Sequence, residues 1–92
     1  MSADLARQTL TDVLGATLLG LGYDDVDIDD TTMLVADLQL SSVDIVHVLA
    51  TTEDRLDVVL ELEALLEADG KARSDLSVAE IVDALTAAPS RP

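Results

Sequence analysis

Ser41 and Ser42 are the residues whose type and placement most invite chemistry. They lie in the stretch Asp37-Leu38-Gln39-Leu40-Ser41-Ser42-Val43-Asp44, where a long acidic connection runs into an apolar segment. Ser41 followed three residues later by Asp44 is a helix start signal of the capping-box kind. Ser41 is then the N-cap, its side-chain oxygen accepting from a backbone N–H that has no partner within the helix. Ser42 falls on the first helical position, with its hydroxyl turned outward. Free N–H groups and the helix dipole both stabilise an anion there, so a phosphate attached to Ser42 is favourably placed.

Other candidate groups carry less. His47 is the only histidine. Five residues after Ser42 it stands about 140° further round a helix, so the two point apart and form no nucleophile–base pair. It reads as a solvated surface histidine. The acidic run Asp24, Asp25, Asp27, Asp29 and Asp30 imitates the opening of an EF-hand loop through Asp25, Asp27 and Asp29. That likeness fails at the sixth position, Asp30, where the turn needs glycine, and at the twelfth, Ala36, where calcium needs a bidentate Glu. No metal site is predicted. Carboxylates are so abundant that adjacency alone signals nothing, and no pocket of aromatic residues is available to build a catalytic site around them. The chain reads as non-catalytic.

Composition narrows the partners. With 19 acidic and five basic residues the formal charge is −14. Nucleic acid, which needs Lys, Arg and stacking aromatics, is excluded, and an anionic membrane surface repels the chain. Basic protein surfaces remain, reached by electrostatic steering. Hydrophobic residues make up 49% but aromatics only 1%, so the core must be built of Leu, Val, Ile and Ala, which suits helix-on-helix packing. Ninety-two residues imply one domain and a complete small protein, with an ordered core over about 3–87 and a frayed tail over 88–92. Such a chain buries only about 60% of its unfolded surface, so modest stability is expected. Without cysteine, a basic leader or an apolar run near ~18 residues, a soluble cytoplasmic monomer is the expectation.

The elements that must position Ser42 follow from periodicity. A first helix spans roughly residues 3–19, with Leu10, Val13, Leu14, Thr17, Leu18 and Leu21 on one stripe and Gly20 and Gly22 as stop signals. Residues 22–40 form a long connection that Val26, Ile28, Leu34, Val35 and Leu38 can anchor by packing inward. A second helix runs from Ser42 to about Leu56. Its β-branched composition is ambiguous, but Ile45, Val48, Leu49, Thr52 and Leu56 share one helical face. The opposite stripe holds Val43, His47, Ala50 and Asp54, with an unexpectedly exposed valine at its head. Leu62, Leu65 and Leu66 suggest a short third helix, and the polar stretch Asp69–Ser74 reads as a loop. Ser77 with Glu80 opens the last helix, which buries Val78, Ile81, Val82 and Leu85 before Pro89 and Pro92.

On these residues the sequence resembles the acyl carrier proteins, of the freestanding type. Their mark is an Asp-Leu-Gly-x-Asp-Ser-Leu type motif, here Asp37-Leu38-Gln39-Leu40-Ser41-Ser42-Val43. Helix one, the long loop with Leu34, helix two and the Ser77-Val78 start fall in family order. Gln39 replaces the glycine, Ser41 the aspartate and Glu61 a frequent proline, and several extra residues precede the last helix. His47 stands where an acidic residue is usual. The resemblance implies an all-α fold, a small four-helix bundle with a short third helix. It further implies a 4′-phosphopantetheine arm on Ser42, attached by a phosphopantetheinyl transferase and carrying acyl thioesters for fatty-acid, polyketide or related biosynthesis. Partner enzymes are then expected on Val43, Asp44, His47, Ala50, Glu53 and Asp54. A peptidyl carrier, or an unmodified acidic interaction module of the same shape, stays open as an alternative; the absence of paired glycines before Ser42 favours acyl cargo.

Overall fold

The computed structural model describes residues 1–24, 26–68, 71–72 and 74–91. The first helix, α1 (Ala3–Gly20), starts where the Ser2 hydroxyl accepts the Leu5 N–H at 3.1 Å. Ala6, Leu10, Val13, Leu14 and Leu18 recur at three- and four-residue steps and are all buried. Thr17 is only half-buried and returns its hydroxyl to the Val13 carbonyl. The helix ends in a Schellman turn: Gly22, at φ +94°, donates to the Leu19 carbonyl, and Tyr23 donates to that of Leu18. That turn takes Leu21 off the expected stripe and leaves it exposed.

Helix α2 (Ser42–Leu56) buries Ile45, Val48, Leu49 and Thr52 on the expected face, with Leu56 packed at its edge. It closes at Asp57, whose left-handed backbone (φ 55°) turns the chain out. Val58 and Leu60 are then buried while Val59 faces out, the alternation of an extended segment. An extended backbone needs partners, and the C-terminal residues supply them. Val59 N–H donates to the Pro89 carbonyl at 2.9 Å and Arg91 N–H to that of Asp57 at 3.0 Å. Residues 88–91, expected to fray, are therefore docked along this connection; Pro92 lies outside the described residues.

Helix α3 (Leu62–Leu66) is the short element anticipated. Part of the stretch expected as loop is instead an antiparallel pair, β1 (Glu67–Ala68) with β2 (Lys71–Ala72), whose connecting Asp69 and Gly70, like Arg73, fall outside the described residues. Helix α4 (Val78–Ala87) opens with the predicted capping box, Glu80 N–H on Ser77 Oγ and Ser77 N–H on Glu80 Oε1, and buries Val78, Ile81, Val82 and Leu85. Both α2 and α4 pack on α1, so the core is a set of Leu, Val and Ile layers between helices. Apart from that two-residue pair the architecture is all-α. Among the described residues no helix is long and apolar enough to cross a membrane.

Two glycines in this frame carry opposite signs. A Cβ at Gly15, in exposed mid-helix, or at Gly22 meets no atom within 4 Å, so backbone preference alone decides. Gly15→Ala is expected to stabilise by about 0.5–1 kcal/mol. Gly22→Ala, forced to positive φ, is expected to destabilise by about 1 kcal/mol. Thermal unfolding followed by circular dichroism should move Tm up for the first and down for the second.

Candidate functional site

The connection before α2 is held in place by three parts of the chain. Asp29 closes an Asx turn, its Oδ1 accepting from Thr31 N–H at 2.9 Å and from the Thr31 hydroxyl at 2.6 Å. Those hydrogen bonds favour the charged form and hold the Asp29 carboxyl below its usual range. Asp30 takes the Arg7 guanidinium of α1 in a two-pronged pair at 2.7 and 3.1 Å, which keeps Arg7 charged beyond its usual range. Further on, the lead-in to α4 lies alongside: Leu34 N–H donates to the Leu76 carbonyl, Val78 N–H to that of Thr32 and Ala79 N–H to that of Asp30.

One carboxylate does most for the last turn before Ser41. Asp75 Oδ1 accepts from Val35 N–H at 2.8 Å and its Oδ2 from Ala36 N–H at 2.9 Å. Asp37 Oδ2 takes Met33 N–H at 2.7 Å from the other side. The resulting helical turn over 33–39 closes through Gln39 at φ 55°, with Leu40 N–H on the Leu34 carbonyl at 3.0 Å. Leu34, Leu38 and Leu40 are buried beneath it and Ile28 is half-buried. Val26 and Val35, expected to point inward, are exposed instead, because the turn spends its inward positions on the leucines.

Ser41 and Ser42 divide as their positions dictate. Ser41 Oγ accepts from Asp44 N–H at 3.2 Å and donates to Asp44 Oδ2 at 2.9 Å, while Ser41 N–H also donates to that Oδ2. The capping box is complete. Ser42 is the first residue of α2 and is exposed, and no hydrogen bond to a described residue engages its hydroxyl. The N–H groups of Ser42 and Val43 belong to the first helical turn and have no acceptor within it.

The anticipated partner stripe is placed more unevenly. Val43 is 76% exposed and His47 is exposed, on the α1 side of α2 next to Thr17 and Arg55. Ala50 is half-buried, and Asp44 is half-buried in the capping box. Glu53 is not the open charge that the sequence suggested. Its side chain is only 18% exposed, its Oε2 accepts Leu60 N–H at 2.6 Å, and its Oε1 faces Arg91 Nη2 at 3.2 Å. The same guanidinium nitrogen meets Asp54 Oδ1 at 2.5 Å, and the pair holds Arg91 charged. Neither Asp75 nor Arg91 was singled out from the sequence. They act across 40 and 37 residues, where no local spacing signals a contact.

Among the described residues no group of three or more His, Asp or Glu side chains converges as a metal site. Comparison with protein-family models, curated proteins and solved structures returns no match for this chain.

Two substitutions test how this turn is held. Asp75→Ala leaves the backbone donors of Val35, Ala36 and Leu76 without their charged acceptor and should cost roughly 1–3 kcal/mol. Hydrogen exchange of the Val35 and Ala36 amides should accelerate more than that of the α2 core amides. Gln39→Gly relieves a left-handed backbone at an exposed site and should stabilise by up to about 1 kcal/mol in chemical denaturation.

Proposed function

We propose that residues 1–92 form a non-catalytic carrier, folded as an acyl-carrier-like four-helix bundle, that holds acyl intermediates as thioesters on a 4′-phosphopantetheine arm attached to Ser42. The observation that supports this reading best is the division of labour between two adjacent serines. Ser41 is consumed by the capping box, while Ser42 presents an unengaged hydroxyl beside the open N–H groups at the start of α2. A phosphodiester on that hydroxyl meets the positive end of the helix. The residues present therefore fit the group.

Ser42 Oγ supplies the nucleophile. A separate, Mg²⁺-dependent phosphopantetheinyl transferase brings it to the pyrophosphate of coenzyme A. The new bond would join Oγ to the β-phosphorus, the pyrophosphate linkage would break with adenosine 3′,5′-bisphosphate leaving on the bridging oxygen, and the hydroxyl proton would pass to a base on the transferase. When bound, the arm supplies a terminal thiol for cargo in fatty-acid, polyketide or related biosynthesis. The chain's own part is to hold Ser42 at a fixed place on a capped helix and to offer acidic surface to basic partner enzymes in the cytoplasm. Along the α2 stripe Val43, His47 and Asp54 are exposed, Asp54 while paired with Arg91, and Asp44, Ala50 and Glu53 are half-buried.

Co-expression with a promiscuous phosphopantetheinyl transferase, read by intact mass, tests the reading. Wild type and Ser41→Ala should both gain one phosphopantetheinyl group, and Ser42→Ala none. The stability order reverses: Ser41→Ala should lose about 0.5–2 kcal/mol with its N-cap, whereas Ser42→Ala should stay within about 0.5 kcal/mol of wild type. Wild type that gains no mass favours an unmodified interaction module.

A further inference from the structure

The chain's one aromatic residue lies on its surface. Tyr23 is 45% exposed, and Leu19 before it is 64% exposed. The Schellman turn explains how they come together. Tyr23 N–H bonded back to the Leu18 carbonyl at 2.9 Å folds the tyrosine onto the last turn of α1. Tyr23, Leu18 and Val26 then border two adjoining clefts. One, of about 210 Å³, extends along α1 past Leu19, and the other, of about 80 Å³, is closed by Leu38 and Gln39. Single exposed apolar residues need no explanation, but a cluster around a lone tyrosine has the composition of an interaction hot spot. Its polar rim is acidic: Asp24 borders the larger cleft, Asp37 the smaller, and among the described residues no basic side chain borders either.

Position relative to Ser42 selects the partner. Gln39 borders the smaller cleft and lies three residues before Ser42, a reach of at most about 11 Å along the chain. An enzyme that acts on the Ser42 hydroxyl itself must bring its active site to that atom. A standard contact of ~800 Å² per partner, centred there, extends roughly 16 Å in every direction. The Gln39 wall of the smaller cleft falls inside that footprint, and the larger cleft adjoins the smaller through Leu18, Tyr23 and Val26. The larger apolar groove of about 330 Å³ between α3 and α4, lined by Val59, Leu65 and Ala84 among others, lies beyond the far end of α2. Fifteen helical residues separate it from Ser42, a length of about 22 Å. Enzymes that take cargo at the end of a flexible arm are under no such constraint.

We propose that the surface formed by Tyr23, Leu19 and Val26, with its acidic rim, is the docking site of the phosphopantetheinyl transferase, whose matching face is apolar and ringed by Lys and Arg. This rests on the reading of Ser42 as the modified residue. Tyr23 fills the apolar centre of the contact, and Asp24 and Asp37 steer the basic rim into register.

Initial rates of loading by a purified promiscuous transferase separate the two claims. Tyr23→Ser and Leu19→Ser should each raise KM about tenfold with kcat unchanged. Val59→Ser, an apolar change at a site about as exposed as Tyr23 and beyond the far end of α2, should leave both constants alone. Added salt should raise the KM of wild type by screening the acidic rim. Two serine variants is the safeguard against misfolding, since both sites are exposed and circular dichroism checks each. An unchanged KM in both variants, or an equal rise in Val59→Ser, overturns the docking site while the carrier reading stands. Wild type that accepts no arm brings both down.

Discussion

The presentation of Ser42 depends on one constraint: the backbone N–H groups of residues 33–40 must find acceptors although the segment belongs to no regular element. Met33, Asp37, Leu38, Gln39 and Leu40 find them within the segment itself, and Leu34, Val35 and Ala36 find them on the lead-in to α4, more than thirty residues away in sequence. Leu76 offers a carbonyl to Leu34, and Asp75 a carboxylate to Val35 and Ala36. Charged acceptors make the stronger bonds, and a carboxylate with two oxygens on two successive amides fixes both direction and register. Because Leu34, Leu38 and Leu40 anchor the same turn from below, it cannot slide without uncovering apolar surface. The start of α2 is thereby fixed to α4 as well as to α1.

Cations are scarce in a chain of net charge −14, and where the structure places two of its five basic residues is informative. Arg7 ties α1 to the loop through Asp30, and Arg91 ties the C-terminus to α2 through Glu53 and Asp54. Each stands between segments that carry like charge and would otherwise repel. The first holds the loop that leads to Ser42; the second pairs the carboxylates in the far half of the α2 stripe, where Asp54 stays exposed.

Local signals were legible in the sequence and distant ones were not. Ser41 with Asp44 and Ser77 with Glu80 fixed the starts of α2 and α4, since a capping box needs only residues three apart. The buried faces of α1, α2 and α4 followed from period, and Gly22 marked the turn that ends α1. Leu21 misled because the same turn that stops the helix rotates it out of the stripe. Val26 and Val35 misled because hydrophobic type says nothing of direction in a loop, where no period holds. The docked tail, Asp75 and Arg91 had no local signature at all. Gln39 stands where the motif it resembles has glycine, and its positive φ is a backbone conformation that costs strain in any residue but glycine.

The two serines show how a capped helix separates structure from chemistry. A hydroxyl at the N-cap position is aimed back at the helix by the extended backbone that defines the cap, so Ser41 Oγ meets Asp44 N–H and cannot also be offered outward. One residue on, the backbone is helical and the side chain is carried away from the axis, so Ser42 is free of that duty. Removing the first hydroxyl should weaken the helix, and removing the second should change only what can be attached to it. The favourable field at the N-terminus acts on both positions alike, because it arises from the peptide groups and from no particular side chain. A covalently attached anion at Ser42, as proposed, would benefit from a helix end whose integrity it does not have to maintain. That independence is what the proposed carrier role requires, since each partner must meet the same surface before and after loading.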